Sequence, residues 1–381
     1  MDLNPYFEPV SLEKHADSTG VSDMMFGRNI RINTESNPID EISNYQIALI
    51  GVNEDRNSYN QGCASSPDLI RGKLYELFRI NDKLKIIDLG NLKKTSKPDD
   101  TYFGLRDVMI DLLNNQVVAI VMGGSQDLTG GIFMAFEQRF SKINVVSIDS
   151  RIDLNHGSFG SFTWSNPVIN SPRLFRYTNL GHQQYLVDPG HTEKLEEKGF
   201  DAVRLGALRS AISMAEPFLR DAHLVSIDVA AIKQSDSPGT RYASPNGILA
   251  EEICQLSRYA GLSDLVSCFG IFEVNSKYDH NNQTVQLASQ AIWYFIEGFS
   301  QRRKERPAQN HSDFKVFLVN HSDMEHALTF YKSQVTGRWW MEIPDMKTGE
   351  QILVACSQDE YQQALNHDIP EMWWKAFQRI N

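Results

Sequence analysis

The chain has 381 residues, of which 22% are charged and 41% hydrophobic, enough apolar material for a sizeable core. Its net charge of -11 argues against a nucleic-acid or anionic-membrane partner, because an acidic surface repels both. Cys63, Cys254, Cys268 and Cys356 are widely spaced, with no Cys-x-x-Cys pair, so neither a zinc knuckle nor a disulfide framework is expected. No signal-like start and no run of 18 apolar residues is present, and the expected location is the cytoplasm.

Residues 1–44 are polar and aperiodic, and read as an arm lying over the following domain. Tyr45 to Val52 is the first expected buried strand. A helix should begin at Ser65-Ser66-Pro67-Asp68, with hydroxyls to cap it, an early proline and an acid in the first turn. Lys85 to Gly90 reads as a strand and turn, and Tyr102 to Leu113 as a helix with one apolar face.

Four further apolar runs each end in polar residues. Val117 to Met122 leads into Gly123-Gly124-Ser125-Gln126, where two glycines let the backbone turn beside a ligand. Asn144 to Ile148 leads into Asp149-Ser150-Arg151-Ile152-Asp153, and His223 to Ile227 into Asp228-Val229-Ala230 and on to Lys233 and Pro238-Gly239. Cys268 to Phe272 ends in Glu273-Val274-Asn275. In an open parallel sheet such strand ends converge on one crevice, where ligands collect. Helices are expected over Glu193–Gly199, Ile212–Leu219, Ala250–Ala260 (with Gly261 as its stop) and Leu287–Phe299, and a strand over Ala202–Leu205.

These four blocks, in this order, resemble the ureohydrolase family of arginase, agmatinase and formimidoylglutamase. The family carries Gly-Gly-Asp-His, Asp-x-His-x-Asp, Ser-x-Asp-x-Asp with a later Pro-Gly, and Glu-Val-Asn. The resemblance spans roughly Tyr45 to Arg303. It implies a three-layer arginase-like α/β fold, a mostly parallel eight-stranded sheet between helices, together with a two-manganese hydrolytic centre. It also implies a role for Glu273 in meeting a substrate's guanidino group, and assembly into trimers or hexamers.

The departures bear on chemistry. Gln126 and Arg151 stand where the family has histidine ligands, and Ala230 where it has an aspartate. Of six implied ligands, Asp149, Asp153 and Asp228 remain. Hydrolysis at an amidino carbon needs hydroxide at neutral pH, which a divalent metal supplies by lowering the pKa of water from about 15.7 to about 7. A guanidinium has no lone pair for a metal and does not act as a base. It can neutralise carboxylates instead, at roughly 4 kcal/mol for a pair about 4 Å apart at an effective dielectric near 20.

Arg151 and Lys233 are therefore expected to substitute for metal charge around a remnant site of Glu273, Asp149 and Asp228, and Arg151 to compete with substrate for Glu273. The expected cofactor is none. The alternative is a weak manganese or magnesium ion on Gln126, Asp149, Asp153 and Asp228. His156, in the glycine-rich loop after Asp153, is a candidate polar contact.

The charged, proline-ended segment Arg302 to Pro307 marks a boundary between a main domain (45–303) and an extension (308–381). The extension shows strand-like runs at 314–319, 338–343 and 351–355 and a helix near 359–365. It holds Trp339, Trp340, Trp373 and Trp374, which either pack it on the main domain or form an interface between copies. The functional expectation is a non-catalytic relative binding a small molecule in the remnant crevice, or a protein partner, as a homo-oligomer. The alternative is a hydrolase of linear amidine or guanidino C–N bonds using one or an unusual metal.

Overall fold

The computed structural model describes residues 1–11, 22–307, 311–320 and 327–381. The chain begins with short strands β1 (Phe7–Glu8) and β2 (Arg31–Ile32), then β3 (Ile47–Val52), α1 (Ser66–Tyr75), β4 (Ile86–Leu92), α2 (Pro98–Asn114), β5 (Val118–Gly123) and α3 (Leu128–Arg139). It continues through β6 (Ile143–Ile148), α4 (Ser165–Ile169), β7 (Leu174–His182), α5 (Pro189–Glu197), β8 (Asp201–Arg204), α6 (Leu205–Ser210) and α7 (Glu216–Asp221). Then come β9 (Leu224–Asp228), α8 (Ala250–Gly261), β10 (Cys268–Phe272) and α9 (Gln283–Ser300). The extension holds β11 (Phe314–Val319), β12 (Leu328–Ser333), β13 (Trp339–Pro344), β14 (Gln351–Cys356), α10 (Gln358–Leu365) and α11 (Glu371–Ile380).

Among the described residues, eight parallel strands form the centre in the order β4-β3-β5-β10-β9-β6-β7-β8. Their apolar runs are buried on both faces, as parallel sheets require. In β3, Ile47 and Leu49 face one apolar core while Ala48 and Ile50 face the other, giving three layers. The arm joins the sheet: β1 pairs antiparallel with β4, and β2 pairs parallel with it.

Two local expectations are corrected. The hydroxyls of Ser65 and Ser66 do not cap α1; they donate to the carbonyls of Gly62 and Cys63 instead. Gly123 and Gly124 have no left-handed φ. A side chain at 123 would strike the Phe272 ring at 2.3 Å and one at 124 the Glu54 carbonyl at 1.9 Å, so these glycines serve chain-to-chain packing.

The extension is a four-stranded antiparallel sheet, β11-β12-β13-β14, whose apolar residues continue one core of the main domain. Asp221 of α7 accepts from the Ala355 NH at 2.6 Å, and Arg220 donates to the Cys356 carbonyl at 2.9 Å. Trp339, Trp340 and Trp373 are buried within the chain, while Trp374 is 44% exposed. The segment after Arg302 is tied down as well, with the NH groups of Lys304 and Glu305 on Asp264.

Candidate functional site

Strands β5, β10, β9 and β6 are direct neighbours, so their carboxyl ends bring the four polar blocks together. Register does the rest: Ile148 lies beside Ile227 and Phe272 beside Asp228, which places Asp149, Asp228 and Glu273 at one level. All three, with Asp153 and Gln126, are buried.

Each carboxylate is met by protein donors. Asp149 Oδ1 accepts the Arg151 NH at 2.8 Å, and Asp228 Oδ1 the Ala230 NH at 2.7 Å. Trp164 Nε1 donates to Asp153 Oδ2 at 2.8 Å. The Gln126 amide orientation that satisfies both of its ends points Nε2 between Asp149 Oδ2 and Asp153 Oδ2, 3.1 Å from each. Its oxygen then faces the hydroxyls of Ser147 and Ser226. Glu273 takes the Gln126 NH at 2.9 Å on Oε1 and the Ser58 hydroxyl at 3.1 Å on Oε2. Its backbone sits at φ 66°, a strained position for a residue with a side chain, held by its NH on the Gly124 carbonyl and by Asn60 on its own carbonyl.

Burial is the main cause raising the pKa of all four carboxyl groups, and their mutual repulsion adds to it. Asp153 is pushed up to about 7, and Asp149, Asp228 and Glu273 lie well above the ordinary carboxylate range. The Arg151 charge works against this rise at each of the three aspartates but is a smaller influence than burial.

Arg151 is placed differently from the expectation. Its guanidinium lies over the rings of Phe162 and Tyr242, 5.5 and 5.1 Å from their centres, so it forms part of an aromatic cover rather than competing for Glu273. Lys233 is held through its backbone, its NH on the Ile248 carbonyl, and Arg151 rather than Lys233 is the cation acting on Asp228. His156 is exposed on its loop.

Ser58, Asn60 and Trp164 also belong to this site, and no local pattern marks them. Ser58 and Asn60 follow β3 in a stretch without periodicity, and Trp164 precedes the five-residue α4. Ser147 and Ser226, which also meet Gln126, lie inside the runs already singled out.

A metal centre of the kind the resemblance implies needs ionised ligands with free lone pairs. Here the Gln126 amide fills the space between Asp149 and Asp153, its NH2 group toward them in the orientation that satisfies both of its ends, and an indole NH occupies one oxygen of Asp153. Among the described residues, no group of three or more His, Cys, Asp or Glu side chains is arranged to hold a metal ion. The residues present therefore do not fit a two-metal centre.

A sequence profile of the arginase family matches residues 45–297. The formimidoylglutamase of Staphylococcus haemolyticus (strain JCSC1435) is 24% identical over 269 residues, covering 66% of this chain and 85% of the relative. That of Corynebacterium efficiens is 23% identical over 273 residues, covering 68% and 86%. Trypanosoma cruzi formiminoglutamase with Mn2+2 superposes with a TM-score of 0.65 at 20% identity, over 70% of this chain and 97% of that one. Bacillus subtilis arginase gives 0.59 at 18%, over 66% and 98%.

Proposed function

The chain belongs to the arginase family, and within that family we propose that it is a member that binds a ligand without metal-dependent hydrolysis. The observation that carries this reading is the Gln126 amide between Asp149 and Asp153, where the family resemblance puts a metal-binding histidine on the same strand end. An amide donor in that place stabilises the carboxylates in the absence of a cation and repels one. Four buried acids of raised pKa, an indole NH on Asp153 and Arg151 over the crevice support the same conclusion.

A second reading is hydrolysis of a linear amidine, favoured by the retained Glu273 and by relatives named formimidoylglutamase. Elemental analysis after incubation with manganese separates the two, with the triple variant Gln126→His, Arg151→His, Ala230→Asp as the positive control. The expected result is a metal-free parent and a variant that takes up manganese. A parent holding stoichiometric metal would overturn the proposal and call for a screen of amidine substrates.

A further inference from the structure

We propose that the cavity at the carboxyl ends of β7 and β8 is a binding site for a small organic anion carrying two acid groups. The cavity has a volume of about 710 Å³, within the range of small-molecule sites. Its walls are contributed by the end of β7 and the turn that follows it, by Arg204 at the end of β8 together with α6, and by Asn246 and Glu252 before and within α8. This is the edge of a parallel sheet where ligands collect, on β7 and β8 directly beside β6, the last strand of the carboxylate cluster.

Charge is the first argument. The chain carries a net charge of -11, yet Arg204 and Arg209 both face this cavity. Arg204 has no carboxylate partner among the described residues. Arg209 reaches one, Glu252, only through Nε at 3.4 Å, and the second oxygen of Glu252 is already taken by the Leu249 NH at 2.8 Å. The Arg204 guanidinium is thus available for carboxylate or phosphate oxygens, which such groups bind in bidentate fashion, and Arg209, although paired with Glu252, keeps its terminal NH groups for a second acid group.

The floor is built for a polar ligand. His182 is only 4% exposed, lines the cavity, and its Nδ1 has no hydrogen-bond partner. A buried ring nitrogen without a partner is costly unless a ligand or water supplies one. Gln183 is fixed beside it, donating to the Asn246 carbonyl at 2.8 Å and accepting from the Tyr185 hydroxyl.

Gly206 lines the same cavity. Glycine is among the least favourable residues in a helix, yet Gly206 lies in α6. Its φ is not left-handed, and a Cβ built on it meets nothing within 4 Å. Neither backbone conformation nor packing calls for glycine here. Gly206 is exposed at the rim of the cavity, where a bulky side chain would narrow the entrance.

The site shares no carboxylate with the remnant centre, so it does not rest on the loss of hydrolysis and its test can fail separately. Calorimetric titration with succinate, inorganic phosphate and phosphoglycolate at constant ionic strength tests it, using the full chain and the variants Arg204→Ala and Gly206→Phe. At least one probe is expected to bind with saturation and one-to-one stoichiometry, the pattern showing whether carboxylate or phosphate is preferred. Each variant, with an unchanged melting profile in the absence of probe, should weaken that binding at least tenfold. No saturable binding by any probe, or binding unaltered in both variants, overturns the proposal.

Discussion

Arg71 of α1 is fully buried and its Nε meets Asp88 of β4 at 2.8 Å, while the Tyr75 hydroxyl donates to the same carboxylate at 2.9 Å. Asp68 adds a second contact to the guanidinium at 2.6 Å. Removing one member of such a set leaves the other charge buried without compensation. Asp88→Asn is therefore expected to cost about 3–5 kcal/mol in urea unfolding, and a loss below about 1 kcal/mol would show that Asp68 alone suffices. His223 makes the corresponding case for pH. Burial is the main cause lowering it from 6.5 to about 4, and its Nδ1 accepts the Asn144 NH at 3.1 Å, which requires the neutral ring. The unfolded chain takes up this proton first, so the stability His223 contributes is complete above about pH 6.5 and is lost as pH falls toward 4. The loss is at most about 3 kcal/mol, and less because the ring is partly exposed. Unfolding measured from pH 7 to 4 should fall more steeply for the parent than for His223→Leu; equal slopes would reject the assignment.

The elements hardest to read beforehand are those whose interiors are polar. The nine-residue β7 was not anticipated, because Arg176, Thr178 and Asn179 break its apolar run. In the fold all three are buried; Arg176 pairs with Asp201 at 2.9 Å and lies over Phe218, and Asn179 donates to the Arg151 carbonyl at 2.8 Å. Gly261 does end α8, as expected, but without a left-handed φ; what requires glycine there is the close approach of α8 to α9. A Cβ there would come within 2.1 Å of the Phe295 carbonyl, and one at Gly298 within 2.4 Å of the Arg258 carbonyl. Gly298→Ala should force these helices apart and cost about 1–3 kcal/mol in denaturant unfolding. An unchanged midpoint would mean that the crossing relaxes freely.

At the scale of the whole molecule, the extension and the main domain share an apolar core and a set of buried polar contacts at α7. Arg220 lies 4.3 Å from the centre of the Trp340 ring, and Lys375 of α11 meets Asp201 of β8 at 3.2 Å. Such a junction couples the stabilities of the two parts. Calorimetry should record one unfolding transition, with calorimetric and van't Hoff enthalpies in agreement. Asp221→Ala, which frees the Ala355 NH, should lower that single transition; two separate transitions in the parent would show that the extension melts independently. Among the described residues no helix is long and apolar enough to cross a membrane.

The sequence by itself determined the parallel sheet and the strand ends that carry chemistry. Short apolar runs of five or six residues suit strands buried between two helical layers, and Asp149, Asp228 and Glu273 each stand at the carboxyl end of such a run. It also displayed the substitutions at Gln126, Arg151 and Ala230. Only the tertiary structure decided what those residues do: the Gln126 amide enters the carboxylate pair and the Arg151 guanidinium goes to an aromatic cover. Nor did the chain order reveal Trp164 beside Asp153, or Arg204 and His182 around a common cavity. Those meetings depend on strand order and register, which are settled by packing across long stretches of chain, whereas periodicity reports only which residues of one element share a face.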